Sequence, residues 1–474
     1  MFAALIFLLQ ALFGLVAAAQ FVWPAFLGDI LPFNIVRMLH INALVVWLLA
    51  GFMGATYYLL TEEARGRLYS ERLADLNFWL FALGVLLVVT GYLYMGFSGH
   101  YSPLFSEGRE YIEAPRWADV FLVLVFAVFL YNVFMTIRRG IGWNAVTGLL
   151  MIGLCGLVFF YLFGMKFFKN MTLDFYFWWW VVHLWVEGAW ELIAAAIYAL
   201  LVIRLFGFPL ERAVKYLYIE AGLVLFTGIL GTGHHYYWIG TPEYWLTVGG
   251  VFSAMEPVPL LIMVFDALNI ALKERKIIHP NILAQYWLVV GVVMHFLGAG
   301  VWGFIQTLPQ ANRWTHGTQL TAAHGHLAFF GAYAMLIIAV LYYALPRLKF
   351  GNDSFDQRRG FAAFWLMLAG VIGMTLSLTG AGLIQVFMER IMGYPFLEVQ
   401  GYMGFFYTLR FFFGLVTAVG VFVFFSDVMT LRQRPSLQAH QEPFRRDKRH
   451  VESPEEVLVV ILRDLWKIQN FGVH

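Results

Sequence analysis

Twelve apolar runs, each of about 20 residues, constrain the fold of this 474-residue chain more than any other feature. In hydrocarbon every backbone amide must be hydrogen-bonded within the chain, so runs of this length form helices. The runs cover approximately residues 2–23, 35–60, 74–97, 117–137, 145–164, 175–203, 214–238, 246–272, 282–308, 315–345, 360–388 and 403–430. The sequence therefore predicts an all-α, polytopic membrane protein whose twelve transmembrane helices occupy residues 1–431.

The composition supports this class of protein and excludes others. The chain is 61% hydrophobic and 13% charged, and its formal net charge of +2 is too small for nucleic-acid binding. We therefore expect the lipid bilayer and other proteins as its partners. The only cysteine is Cys155, which excludes disulfides, thiolate metal clusters and the C-x-x-C-H attachment of c-type haem. Any haem must be held by other ligands.

The basic residues predict how the helices are oriented. Of the 31 Lys and Arg residues, 23 fall in alternate connections and in the tail after residue 430. Because Lys and Arg gather on the cytoplasmic side, both termini should be cytoplasmic. The first run ends in Ala-Ala-Ala-Gln, which resembles a signal-peptide cleavage site, but it lacks a basic start and is too long. We therefore expect it to be a helix.

Residues 432–474 are predicted to form a cytoplasmic basic tail. Within this tail, Ser453 fits the N-cap of a helix, Pro454 its first position and Glu456 the acid of a capping box. The apolar run 457–462 follows. The sequence predicts a short amphipathic helix there, on the membrane or on the protein, beside a run of basic residues.

Ionisable side chains within the sixth and seventh apolar runs predict a metal centre. His183, Glu187 and Glu191 recur at every fourth residue, so they lie on one face of a helix. The seventh run ends in GTGHHYYW, where glycines allow the backbone to turn so that His234 and His235 both point inward. A lone histidine could simply bond two helices. Three histidines and a carboxylate at one depth favour a metal, and the oxygen donor favours iron over copper.

The tenth run contains a pair of histidines that predicts two separate cofactors. His324 and His326 point about 200° apart around a helix. His40 lies a few residues inside the second run, counted from the same side of the membrane as the histidines of the tenth run. We therefore expect one six-coordinate haem between His40 and His326 for electron transfer. A second, five-coordinate haem on His324 would keep an open position for substrate.

Four stretches, WWWVVHLWVEGAWEL, GTGHHYYWIG, VFSAMEPVP and THGTQLTAAHGHLAF, resemble the catalytic subunit of the cytochrome-c-dependent nitric oxide reductases. That family is a branch of the haem-copper oxidase superfamily, and the similarity runs from about residue 35 to 430. The resemblance implies the haem-copper oxidase bundle and reduction of two NO to N2O in denitrification. It also implies the following ligands: non-haem iron on His183, His234, His235 and Glu187, high-spin haem b on His324, and low-spin haem b on His40 and His326.

The same resemblance implies further residues and partners. Glu191 and Glu256 match acids that handle protons near the two metals, and Arg109 and Glu110 match a loop near the haem propionates, where the glutamate contributes to a calcium site. The family is found in the bacterial inner membrane with its haems toward the periplasm. Quinol-fed relatives carry an N-terminal extracytoplasmic domain, whereas the first helix here starts at once. We therefore expect a membrane-anchored cytochrome c subunit as electron donor.

Two alternative functions remain at the level of sequence. Many oxygen reductases place a redox-active tyrosine four residues after the first metal-binding histidine, where this chain has Glu187. Reduction of NO needs no such side chain. Some oxidases place that tyrosine on another helix, and Tyr236 and Tyr237 follow His235 directly. A transporter would also have twelve helices, but it would not explain the histidines.

Three ionisable residues depart from the family pattern: Glu220, Asp266 and His295 lie in the middle or cytoplasmic parts of their helices. Each is costly in hydrocarbon unless it faces a partner or water. We expect them to form an interhelical hydrogen-bonded cluster with neighbours such as Tyr216 and Gln285. The alternative is a hydrated proton route from the cytoplasm.

Overall fold

The computed structural model describes residues 1–64, 67–253, 255, 257–273 and 279–433. Its helices in chain order are α1 (Phe2–Val22), α2 (Phe33–Glu63), α3 (Glu71–Ser98), α4 (Arg116–Ile141), α5 (Ala145–Gly164), α6 (Met171–Phe206), α7 (Leu210–His235), α8 (Glu243–Val251), α9 (Pro257–Lys273), α10 (Ile282–Thr307), α11 (Pro309–Thr315), α12 (Gln319–Phe350), α13 (Arg358–Ile391) and α14 (Phe396–Met429). Within these residues the only β-pairing is an isolated bridge between Phe355 and Gln433. The all-α prediction is confirmed.

Eleven helices of the described chain are long and apolar enough to cross a membrane, namely all but α8, α9 and α11. They correspond to eleven of the twelve predicted runs. The remaining run, 246–272, is divided into α8 and α9. Pro257 and Pro259 explain the division, because proline lacks the amide proton of a helix interior and fits only the first turn. The protein is therefore a multi-pass membrane protein with one interrupted segment.

Helices α6 and α12 form the centre of the bundle. In their most apolar 18-residue windows 89% and 83% of the residues are buried, against 33–50% in the other spans. Close packing brings α5 onto α6, since a Cβ at Gly153 would lie only 2.9 Å from the carbonyl oxygen of Ala189. The two central helices carry three of the histidines discussed below, His183, His324 and His326.

The outer helices pack against one another as well as against this centre. Helix α1 lies against α2 and α14, and α13 runs along α14. The first apolar run is thus a helix, as predicted. Large apolar side chains on the outer surfaces are exposed, for example Leu86, Leu376 and Phe405, because lipid rather than water surrounds them.

An ion-pair network joins the ends of α2, α6 and α12. Arg347 donates to Glu62 at 2.9 Å and to Asp353 at 2.7 Å, and Arg204 pairs with Glu63. These residues lie in the connections that the distribution of basic residues assigns to one side of the membrane. We call this end of the bundle the basic side and the other end the opposite side. Of the predicted tail, only residues 432 and 433 are described, so the helix predicted there falls outside the described residues.

Candidate metal and haem site

The predicted metal ligands on α6 lie in a local widening of the helix. His183 ends a regular segment, and Glu187 lies in the π-helical turn Leu184–Trp190 that follows. Nδ1 of His183 is 3.4 Å from Oε1 of Glu187, so the two side chains share one face as predicted. Single π-turns of this kind are frequent at functional sites, because they change the direction of side chains without ending the helix.

A tight turn at the end of α7 presents the adjacent histidines. Residues Thr232–His235 form a 3-10 turn, which places Nε2 of His234 and of His235 at 3.5 and 3.6 Å from Oε1 of Glu187. A Cβ at Gly233 would collide with the carbonyl of Trp245, so this turn requires glycine. The predicted bend that directs both rings inward is therefore present.

These four side chains have the spacing of a metal site. One ligand atom from each of His183, Glu187, His234 and His235 lies within 4.8 Å of the others, the only such group in the described chain. Bonds of about 2.1 Å in a tetrahedron give ligand-to-ligand distances of roughly 3.4 Å. The observed 3.4–3.6 Å distances from Glu187 fit this geometry. These four residues, which we call the metal group, thus fit a four-ligand metal ion.

Neighbouring groups determine which histidine nitrogen faces the metal position. Nε2 of His183 contacts the carbonyl oxygen of Gly228 at 2.6 Å, which leaves Nδ1 toward Glu187. His234 is oriented the other way, because its Nδ1 lies 2.9 Å from Oγ of Ser253. Such outer contacts hold the ring orientation and tautomer of metal ligands.

His40 and His326 face each other across a gap that fits haem iron. Their ring centroids are 6.2 Å apart and their planes differ by 27°. Two metal–nitrogen bonds of about 2 Å plus two half-rings of about 1 Å give roughly the same separation. The Nδ1 atoms contact the carbonyl oxygens of Gln10 at 2.8 Å and Ala322 at 2.7 Å, so each Nε2 is available as a ligand. The pair fits a six-coordinate haem.

Gly14 of α1 contacts the ring of His40. A Cβ at Gly14 would lie 2.6 Å from Cε1 and 2.7 Å from Nδ1 of that ring. Only glycine fits here, because carbon atoms in contact are normally about 3.5–4.0 Å apart. The position of α1 is therefore coupled to the orientation of the histidine.

His324 points to the other side of α12, as the two-residue spacing predicted. Its Nδ1 lies 3.0 Å from the carbonyl oxygen of Gly298, and a Cβ at Gly303 would be 3.1 Å from its ring. His324 is also within electrostatic reach of Glu187 and His234. One helix thus presents a histidine to the metal group and another to His40.

Glu191 lies one turn beyond the metal group, toward the basic side, and does not join it. Tyr333 donates to its Oε1 at 2.8 Å, and Nε2 of His295 is 3.1 Å from the same oxygen. Glu256 and its immediate surroundings lie outside the described residues. The structure therefore gives contacts for one of the two predicted proton-handling acids.

The expected hydrogen-bonded cluster of Glu220, Asp266 and His295 with Tyr216 and Gln285 is confirmed in part. Asp266 accepts a hydrogen bond from Tyr216 at 3.1 Å, as expected, but His295 pairs with Glu191. Gln285 instead donates to the carbonyl oxygens of His279 and Asn281. Positions along separate helices do not show which faces meet, and here packing places His295 against Glu191.

The loop between α3 and α4 lies at the opposite side, where it contacts the first turns of α6. Glu110 pairs with Arg37, and its carbonyl accepts from Trp178 at 2.9 Å. Arg109 is buried, where it donates to the carbonyl oxygens of Gly164 and Lys166 and pairs with Asp174. In the part of the chain described, Glu110 belongs to no group of three metal-ligating side chains, so the calcium site stays a prediction.

Glu113, in the same loop, is a buried acid that the sequence analysis did not single out. Asn42 donates to its Oε2 at 3.0 Å. Burial raises the pKa of Glu113 to about 7, because the charged form is poorly solvated there, although the Asn42 hydrogen bond opposes this shift.

Three other residues near the cofactor positions were also missed. Ser253 contacts His234, and Trp179 stacks on His235 with 5.2 Å between centroids and 7° between planes. The Arg410 side chain lies over the ring of Phe21, and its Nε and Nη1 find no acceptor among the described residues. An arginine inside an apolar run is a signal that could have identified Arg410.

The candidate oxidase tyrosines do not reach the metal group. The hydroxyl of Tyr237 donates to the carbonyl oxygen of Thr307 at 2.8 Å. The ring of Tyr236 packs edge-on against Tyr176. Neither tyrosine therefore takes the position that the oxygen-reductase alternative required.

Several known proteins are similar to this chain over most of its length. A nitric oxide reductase subunit of Stutzerimonas stutzeri is 43% identical over 91% of this chain and 93% of its own length. A cytochrome c oxidase subunit 1 homolog of Agrobacterium tumefaciens is 22% identical over 87% of this chain and 78% of its own. A solved haem-copper terminal oxidase dimer has a similar fold, with a TM-score of 0.65, 13% identity and coverage of 90% of this chain and 84% of that one.

Residues 1–416 also match the sequence profile of the family described as Cytochrome C and Quinol oxidase polypeptide I. That match spans most of the chain, and the 43% identity extends over nearly the full length of both proteins. The chain therefore belongs to the nitric oxide reductase branch of the cytochrome c and quinol oxidase polypeptide I family.

Proposed function

We propose that this protein is a membrane oxidoreductase that converts two NO, two electrons and two protons to N2O and water. The observation that carries the proposal is Glu187, a carboxylate placed among three histidines where many oxidases have a tyrosine. The identity with the Stutzerimonas protein supports the same reaction. An oxidase would need a redox-active tyrosine, and Tyr236 and Tyr237 are directed elsewhere.

The proposed cofactors are two haem b groups and one non-haem iron. His40 and His326 would hold the low-spin haem, and His324 the high-spin haem. His183, Glu187, His234 and His235 would hold the iron, since a carboxylate added to imidazoles favours iron over copper. When bound, the high-spin haem and the non-haem iron together bind two NO molecules and supply the two electrons.

The chain itself supplies orientation, charge and protons. Glu187 places a negative charge at the metal position, which favours the oxidised ion. Ser253 and Trp179 hold the rings of His234 and His235. Glu191, which is buried beside the metal group, is proposed to deliver protons together with Glu256.

The route of electrons follows from where the histidines lie. His40 and His326 are each seven residues from the start of their helices at the opposite side, so the low-spin haem would accept electrons there. We propose a membrane-anchored cytochrome c subunit as the donor, in a bacterial inner membrane with both termini cytoplasmic and the haems toward the periplasm. Residues 432–474 would form a cytoplasmic tail outside the catalytic domain, and Glu110 would contribute to a calcium site.

The proposal is tested with the purified complex by metal analysis, haem quantitation and gas analysis. We expect two haem b and one non-haem iron per chain, with N2O formed from NO under reduced cytochrome c. Copper in place of iron, or consumption of oxygen with no formation of N2O, would contradict it.

Two matched variants separate metal binding from proton delivery. Glu187→Gln should lose the non-haem metal, whereas Glu191→Gln should keep it and slow turnover. These residues are one helical turn apart on α6, so equal metal loss in both would indicate general disruption of the helix instead.

A further inference from the structure

The contacts of Glu191 extend away from the metal group toward the basic side. The residue is 4% exposed, and its Oε1 accepts a hydrogen bond from Tyr333 and lies close to Nε2 of His295. Oε2 is buried and makes no hydrogen bond to any described residue. A carboxyl in this position has one oxygen held and the other available to exchange a proton.

His295 is the basic group that contacts this carboxyl among the described residues. The residue is 0% exposed, and its Nε2 lies 3.1 Å from Oε1 of Glu191, although the ring is not aligned for a hydrogen bond. Its Nδ1 also lacks a hydrogen-bond partner among the described side chains and backbone. Burying an imidazole with neither nitrogen satisfied is unfavourable, so a purely structural role explains this position poorly.

Tyr198 extends the polar row by one more helical turn. Its hydroxyl is buried and also finds no partner in the described chain. A Cβ at Gly291 would lie 3.6 Å from that hydroxyl, and Gly291 is one turn before His295 on α10. Tyr198, His295 and Glu191 therefore follow one another from the basic side toward the metal group.

Other ionisable groups on the packed helices complete the surroundings. Glu220 of α7 is buried, and Asp266 of α9 is bonded to Tyr216 near Arg212. Glu256, just before α9, lies outside the described residues. Among the groups whose contacts are described, His295 is therefore the base that directly faces Glu191.

We propose that His295 is a positioning residue for Glu191 and that each of the two side chains holds a proton: after Glu191 has given its proton to the site, the imidazolium of His295 passes its own proton to the carboxylate. The transfer breaks an N–H bond of the imidazolium and forms an O–H bond of the carboxylic acid, so each of the two side chains becomes uncharged. His295 then regains a proton from the direction of Tyr198. This inference rests on the proposed function only in giving Glu191 a catalytic proton.

Infrared spectroscopy on the purified complex tests the pairing without NO. The carboxyl band of Glu191 is identified by its loss in Glu191→Gln, and its titration is followed with the cofactors held reduced. In His295→Gln we expect the midpoint to rise by at least one pH unit, because the carboxylate loses its cationic neighbour. His279→Gln, a change of a half-buried histidine near the basic side, is the matched control and should leave the midpoint unchanged.

A second measurement keeps the test valid if His295→Gln does not fold. Histidine labelled with ¹⁵N in the parent protein should show an imidazole band that titrates together with the Glu191 band. Independent titration of the two bands, or an unchanged midpoint in a folded His295→Gln, would overturn the pairing.

Failure of the inference is distinguishable from failure of the proposed function. Normal N2O formation with uncoupled bands removes His295 from proton transfer and leaves the reaction intact. Coupled bands in a protein that forms no N2O would leave the pairing standing and refute nitric oxide reduction.

Discussion

Replacing Gly14 with alanine tests the assignment of His40 to the low-spin haem. The added Cβ would lie 2.6 Å from Cε1 of His40, whereas a normal contact needs about 3.5 Å or more. The ring must therefore move by about 1 Å. It cannot do so freely, because Nδ1 contacts the carbonyl oxygen of Gln10 at 2.8 Å while Nε2 faces His326.

The expected magnitude follows from this overlap. Forcing an extra carbon into a packed site costs about 1–3 kcal/mol. Here the displaced ring would strain the iron–nitrogen bond of His40, which is only about 2 Å long. If the strain is relieved when His40 dissociates from the haem iron, the affinity for this haem should fall by roughly 5- to 150-fold. We therefore expect Gly14→Ala to be purified with one haem b per chain in place of two.

Haem quantitation and reduced-minus-oxidised spectra measure this outcome. The low-spin signal should be lost while the high-spin haem and the non-haem metal remain. Gly54→Ala is the control, because it changes a glycine of α2 beside which a Cβ would meet nothing within 4 Å. Two haems and an unshifted low-spin signal in Gly14→Ala would refute the assignment of His40.

Three further predictions concern charged side chains. Glu187→Gln should weaken binding of the non-haem metal by at least about 10–100-fold, the loss typical of an outer contact, with both haems kept; full metal content would contradict a ligand role. Arg410→Leu should lower the potential of the low-spin haem by on the order of tens of millivolts in a redox titration, because a buried positive charge near His40 and His326 disfavours the oxidised iron. The raised pKa of Glu113, about 7 against 4.5, means that the folded protein keeps a proton which the unfolded chain has released in that interval, so stability falls as pH rises through it. The melting temperature of Glu113→Gln, measured relative to that of the parent protein, should therefore increase as the pH is raised from about 5 to about 8. A difference in melting temperature that does not change with pH would exclude this cause.

The course of the chain through the membrane could be predicted from the sequence to within a few residues. The run 282–308 corresponds to the helix Ile282–Thr307, because hydrocarbon leaves an apolar segment of that length no other way to satisfy its amides. The run 246–272 was less predictable. Its prolines signal a weak helix, but they do not show whether the chain kinks or divides.

The composition of the metal group was also predictable from local spacing. His183 and Glu187 are four residues apart on one helix, and the glycines before His234 and His235 indicate a turn. Both features depend on geometry within a single segment. These two features could therefore be predicted without any knowledge of how the helices pack.

The sequence alone thus determined eleven of the membrane-crossing helices, with approximate limits, and the four side chains that come together at the candidate metal site. Only the tertiary structure decided that His295 pairs with Glu191 and that Ser253 orients the ring of His234. These contacts join helices far apart in the chain. A membrane helix is apolar both toward lipid and toward its neighbouring helices, so its hydropathy does not show which face contacts which helix. The contacting faces are instead determined by close packing between the helices.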